Sequence, residues 1–136
     1  MKTIPLKALS WLPALAGMGG LFYASSLPGD RIHLPPFPYS DKAVHAAAYA
    51  LLGMLISLRG PLRRWLAPAG DGQLARGSDI TGLALGILYG VSDEIHQLFV
   101  PMRSFDYADM AADALGVALG FWIFRRMARY RARRKG

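Results

Sequence analysis

Between two apolar segments of this chain lies the stretch YGVSDEIHQLFVPMRSFDYADMAAD, residues 89–113, which carries Asp93, Glu94, His96, Gln97, Arg103, Asp106, Asp109 and Asp113. The flanking segments read as membrane helices, so part of this acid lies at membrane depth. There a charged side chain costs roughly 2.5–3.5 kcal/mol on insertion scales, and intramembrane carboxylates mark by default a functional site with partners nearby. Such a chain is confined to folds in which several helices turn a polar face toward one another and satisfy it internally.

Composition sets the outer bounds. A chain of 136 residues that is 53% hydrophobic and 18% charged suits one compact membrane domain. It has no cysteine, which excludes disulfides and thiolate metal ligation. The net charge of +7 resembles a nucleic-acid signal, but its distribution points to a membrane instead.

Behind a short basic end with Lys2 and Lys7, residues 8–27 form an apolar run of about 20 residues, enough at ~1.5 Å each to cross a core of roughly 30 Å. A cleaved signal peptide with its site near Ala24, Ser25 and Ser26 is the rival reading. The length of the run and Pro13 within it favour a retained helix. Pro28, Pro35, Pro36 and Pro38 then make residues 28–40 a loop. Ser40 or Asp41 caps a second span over 41–59, where Asp41, His45, Tyr49 and Gly53 recur on one helix face. Residues 60–77, with Pro61, Pro68, Arg63, Arg64 and Arg76, read as a cytoplasmic loop holding at most a short surface helix at 62–66. Ser78 or Asp79 caps a third span over 80–100, closed by Pro101. A fourth span covers 108–124, and a basic tail follows at 125–136. Trp11, Trp65 and Trp122 read as interfacial anchors.

The expected fold is therefore all-α: an integral-membrane bundle of four helices in a single domain. With both termini cytoplasmic, the inner charges sum to +11 and the outer to −4, as the positive-inside rule requires. The acidic groups then face the other side, which for a bacterial inner membrane is the periplasm or exterior. His45 and Asp113 lie roughly 6 Å in from the outer ends of their spans, and Glu94 and Tyr49 about 10–12 Å in. The glycines at 82, 86 and 90, and those at 116 and 120, form small-residue stripes that let helices approach closely, within the chain or in a homo-oligomer. Membrane lipids are the expected partners. Nucleic acid is not, and neither cofactor nor metal is called for. A metal version would draw on His45, Glu94 and Asp113, or on Asp93 with His96, but no signature of the HExxH kind supports it.

The motifs DKAVHAAAYALLG, residues 41–53, and YGVSDEIHQLFVPMRSFDYADMAADALGVALG, residues 89–120, resemble the VanZ-like family, membrane proteins named for a teicoplanin-resistance protein. The resemblance covers the second to fourth spans and rests on DK-x-x-H-x-x-x-Y, E-x-x-Q-x-x-x-P-x-R and D-x-x-x-D. It carries over Asp41, Lys42, His45, Tyr49, Glu94, Gln97, Pro101, Arg103 and Asp109. Met102 stands where that family leads one to expect a glycine, and Asp113 where asparagine is frequent. The resemblance implies a role in the cell envelope, with glycopeptide resistance as the attached precedent, and supplies no agreed reaction.

Three functions fit these residues. In the first, an outer-leaflet pocket binds a lipid or glycolipid headgroup, with Lys42 and Arg103 meeting phosphate, Glu94, Gln97 and Asp109 bonding sugar or amine groups, and Tyr49 closing the floor. In the second, Glu94 acts as general acid or base with His45 or Asp113 as counterpart, in hydrolysis or transfer on an envelope lipid. In the third, pairs such as Lys42 or Arg103 with Asp109, and Asp41 with His45, hold helix ends together for a structural or assembly role.

Overall fold

The computed structural model describes residues 6–66 and 77–134. They form α1 (Leu6–Leu9), α2 (Leu12–Ser25), α3 (Ser40–Leu66), α4 (Gly77–Gln97) and α5 (Tyr107–Arg133), with a short 3-10 turn at Gly29–Arg31 and no strand among the described residues. The expected loop segment 67–76 lies outside the described residues, as do Lys2 and the last two residues of the tail.

Pro13 sits in the first turn of α2. A missing N–H costs nothing there, so this proline starts the helix instead of interrupting it. The first apolar run is thereby divided into a single turn, α1, and the 14-residue α2. Pro61 lies inside α3, which continues to Leu66 where a loop was expected after residue 59. Membrane helices tolerate proline where neighbouring helices, hydroxyl side chains or local adjustments of the backbone satisfy the groups it frees. α4 ends at Gln97, and amides 98–100 tighten onto carbonyls 95–97 in a final 3-10-type turn before Pro101. α5 absorbs most of the basic tail: arginines are good helix formers, and Arg131 and Arg133 lie in the last turn, favourable to the helix dipole.

Glycine decides how α3 meets α5. A Cβ added at Gly53 would run into the Val117 carbonyl, and one at Gly120 into the Ala50 carbonyl, so the two backbones touch. α4 lies on both: Gly82 faces Ile56 and Arg59, Gly86 faces Ile56 and Val117, and Gly90 faces Asp113 and Tyr49. The small-residue stripes are thus occupied by packing within the chain. Ala14, Tyr49, Leu52, Ile56, Val117 and Phe121 form the core between these helices.

Ser40–Arg63 and Tyr107–Arg131 are long and apolar enough to cross a membrane. Only 33% of each apolar window is buried within the chain, which separates them from the core helices of a soluble domain. Leu51, Leu115, Leu119 and Trp122 are among the large side chains left exposed along these helices, as is Leu88 on α4, an outer surface suited to lipid.

Candidate functional site

At the start of α3, Lys42 collects three carboxylates. Its Nζ donates to Asp41 Oδ2 at 2.8 Å, Asp106 Oδ2 at 2.7 Å and Asp109 Oδ1 at 3.0 Å. Asp106 lies just before α5 and works in both directions. Its Oδ1 accepts the Ala108 amide at 2.7 Å and caps the helix, while its own amide donates to Glu94 Oε2 at 3.1 Å. The hydrogen bond from Lys42 holds the Asp106 carboxyl below the usual carboxylate range. Lys42 does pair with Asp109, but Asp41 turns to Lys42 and not to His45, because the adjacent ammonium is the stronger partner.

Deeper in, His45 on α3 faces α5, its Nδ1 lying 2.9 Å from Asp113 Oδ1 and 3.8 Å from Glu94 Oε1. Glu94 is fully buried; its Oε1 accepts from Gln97 Nε2 at 3.1 Å. Gln97 Oε1 in turn accepts a long bond from Arg103 Nη1 at 3.5 Å. Arg103 reaches on to α2 and the segment after it, donating from Nη2 to the Ala24 carbonyl and from Nε to the Leu27 carbonyl, both at 3.4 Å. A chain of polar contacts therefore runs from Asp113 through His45, Glu94, Gln97 and Arg103 to α2. His45, Glu94 and Asp109 each bring one ligand atom within 4.8 Å of the others, as do Asp41, Asp106 and Asp109, whose cation is Lys42. The first triad has Asp109 in place of the Asp113 suggested by sequence, and in the second the Lys42 ammonium already occupies the place between the carboxylates.

Asp93 and His96 share a face of α4 and hold α2. Asp93 Oδ1 accepts the Ser25 hydroxyl at 2.5 Å, and His96 Nε2 lies 3.0 Å from Ser26 Oγ. The His96 ring stacks on Phe22 at 4.7 Å, and the Tyr89 hydroxyl donates to the Met18 carbonyl at 2.7 Å. Sequence reasoning missed Ser25 and Ser26, treating them only as a cleavage site. The available signal was the Asp93-x-x-His96 spacing, which puts two polar groups on one helix face and demands partners for both.

Between α2 and α3 is a cavity of about 420 Å³. Its lining mixes aliphatic side chains, among them Leu21, Leu27, Leu34 and Val44, with the polar groups of Asp41, His45, Asp93, Gln97, Arg103 and Asp109. Tyr49, 1% exposed, is among the lining residues, its buried hydroxyl directed to Asp93, while Asp113 Oδ2 is buried without a hydrogen-bond partner among the described residues. Met102 closes the rim at φ +59°, the left-handed conformation for which a glycine was expected. The Gly29 amide, donating to the Pro101 carbonyl at 3.1 Å, ties the proline-rich segment to this turn.

The described residues thus combine two helices with the length and composition to cross a membrane and a set of carboxyl groups buried within the helical packing. The chain belongs to the VanZ-like family: the family model described as VanZ/LLP1 matches residues 10–129. Comparison with curated proteins and with solved structures finds no match.

Proposed function

We propose that this protein is a four-span component of a bacterial inner membrane, with both termini cytoplasmic, whose cavity opens in the outer leaflet and binds the headgroup of an envelope lipid or glycolipid. The observation that carries this reading is the cavity between α2 and α3, whose lining combines aliphatic side chains with several polar ones, a composition that suits an amphiphile. Its polar groups lie near the ends of α3 and α4 away from most of the basic residues, the side that the positive-inside rule assigns to the exterior. Lipid-tailed glycopeptides meet the same requirement, which is how the family's link with teicoplanin resistance would extend to this chain; kinship of fold alone does not establish it.

A second reading, hydrolysis or group transfer on the bound headgroup, draws on His45 lying between Asp113 and Glu94, which is geometry suited to a proton relay. Native mass spectrometry of the purified protein with cellular lipids, comparing wild type with Glu94→Gln and Arg103→Ala, tests the binding reading. A specific lipid adduct weakened in both variants supports it. Identical nonspecific adducts in all three would sink it in favour of a structural role for the charged network.

A further inference from the structure

We infer that the C-terminal part of α5 carries a binding groove for the phosphate of an anionic membrane lipid. The groove is separate from the cavity between α2 and α3 and independent of its occupant, sharing with it only a bilayer around the helices. Trp122, Arg125, Arg126, Arg129, Tyr130 and Arg133 line this groove of about 410 Å³. Their spacing of three and four residues puts them on one helix face, along roughly 16 Å at the helical rise. Arg131 and Arg134 fall outside it. The helix dipole accounts for cations in the last turn, but it does not call for four arginines in register with two aromatic rings.

Helix length places the groove at headgroup depth. α5 has 27 residues, about 40 Å of helix, against a hydrocarbon core of roughly 30 Å. Its unbroken apolar run ends at Phe124, so the arginine-rich turns emerge among the headgroups, with Trp122 at the boundary where indole rings prefer to lie. Arg126, Arg129 and Arg133 are exposed, and no carboxylate of the described residues pairs with them. The same helix supplies no rival, because no acidic residue follows Asp113. α3 runs parallel to α5, with Ala46 beside Gly116 and Ala50 beside Gly120, which brings Arg63 to the level of Arg133 and adds to the positive field. A guanidinium holds a phosphate through two parallel N–H donors. The exposed rings of Trp122 and Tyr130 then offer surface to the glycerol backbone and the first acyl carbons. Nucleic acid answers the same charge, but Trp122 and Arg125 lie at a depth that a polymer confined to water does not reach.

The test is titration of the full chain, purified in a neutral saccharide detergent, with dioleoyl phosphatidylglycerol and dioleoyl phosphatidylcholine, read by native mass spectrometry. Wild type is compared with Arg129→Gln/Arg133→Gln, on the groove face, and with Arg131→Gln/Arg134→Gln, which removes the same charge outside the groove. Half-saturation by phosphatidylglycerol is expected at a concentration at least about fivefold lower than by phosphatidylcholine, the scale of one arginine near an anionic headgroup. That preference should disappear in the groove double and stay within about twofold of wild type in the other, on the same scale. Glutamine is a good helix former, and Arg126→Gln/Arg133→Gln repeats the test should the first double fail to fold. Equal losses in the two doubles overturn the groove, since diffuse charge would then explain the binding, and so does a wild type without preference. Binding of glycerol phosphate at concentrations comparable to the lipid, lost in the groove double, overturns the lipid assignment in favour of soluble phosphate esters. Binding of a single-stranded RNA oligonucleotide with the same dependence overturns it in favour of nucleic acid. None of these outcomes bears on the cavity, whose own test lies in Glu94 and Arg103.

Discussion

His45 and Asp113 meet across the contact of α3 with α5, Nδ1 to Oδ1 at 2.9 Å, with Asp113 fully buried. The contact links a helix face visible in the sequence, Asp41-His45-Tyr49, to a carboxylate 68 residues away along the chain. With the proton on Nδ1, the histidine donates and Asp113 Oδ1 accepts. Asp113→Asn keeps an acceptor at that place in a side chain of the same shape, so its stability is expected to stay within about 1 kcal/mol of wild type. Asp113→Ala leaves the imidazole donor unsatisfied and is expected to cost about 1–3 kcal/mol. Unfolding of the two variants in mixed micelles distinguishes them; equal losses would show that the hydrogen bond contributes nothing.

The backbone contact of α3 with α5 predicts a sharp contrast between glycines. Gly120→Ala drives a methyl group into the Ala50 carbonyl, and rigid backbone cannot move aside, so a loss of about 1–3 kcal/mol or more is expected. Gly20→Ala on α2 meets nothing within 4 Å and should gain about 0.5–1 kcal/mol from lower backbone entropy in the unfolded chain. Thermal unfolding followed by circular dichroism reads both.

Met102 carries a steric cost that glycine would remove. A left-handed conformation costs a side-chain-bearing residue roughly 1–2 kcal/mol, and the Met102 side chain is mostly exposed. After allowing for glycine's greater freedom in the unfolded state, Met102→Gly should stabilise the protein by about 0.5–1 kcal/mol. Met102→Val should destabilise it, since a branched Cβ fits this conformation poorly. Midpoints in the opposite order would contradict the turn geometry.

Glu94 ties the segment before α5 to α4 by accepting the Asp106 amide and the Gln97 side chain. In Glu94→Gln one of the two acceptor oxygens becomes an NH2 donor, so one of these bonds is lost. With a hydrogen bond worth roughly 0.5–1.5 kcal/mol, hydrogen exchange at the Asp106 amide should speed up about 2- to 10-fold. Unchanged protection at that amide would show that Glu94 does not hold the segment.

Asp106 supplies a pH dependence whose sign is fixed. Its carboxyl is lowered in the folded protein by the bond from Lys42. The stabilisation is therefore fully present above the ordinary Asp value of about 3.9 and is lost as pH falls through the lower folded value. A carbon-13 titration of the Asp106 carboxyl should give a midpoint below about 3.9, moving up to it in Lys42→Met. A wild-type midpoint at or above the ordinary value would show that the ion pair does not form in solution.

How much of this was readable in advance depended on whether a residue's partner could be inferred from spacing. The helical character, the polar face of α3 and the burial of Glu94 follow from apolar length and four-residue periodicity, which are local properties. The pairing of Asp106 with Lys42 does not, because the loop before α5 has no periodicity to orient it. α2 concealed its contribution for a different reason. It is apolar nearly throughout, and what it and the two residues after it offer the site are main-chain carbonyls at Met18, Ala24 and Leu27 and the hydroxyls of Ser25 and Ser26, groups to which hydropathy is blind. The continuations of α3 past Pro61 and of α5 into the basic tail were hidden because proline and dense charge argue against a helix when read alone.

The unequal way in which the cavity's two walls are held has a mechanical consequence. α3 and α5 interlock main chain against main chain, and such a pair cannot separate by a fraction without breaking its packing altogether. α2 also packs on α3, where a Cβ at Gly17 would meet Leu55, but its ties to α4 and to Arg103 are a handful of polar contacts gathered toward its C-terminal half. The site is thus a vice with one jaw cast solid and the other latched. Movement that widens the cavity is therefore expected at the latch, where Ser25 and Ser26 hold Asp93 and His96, and not between α3 and α5.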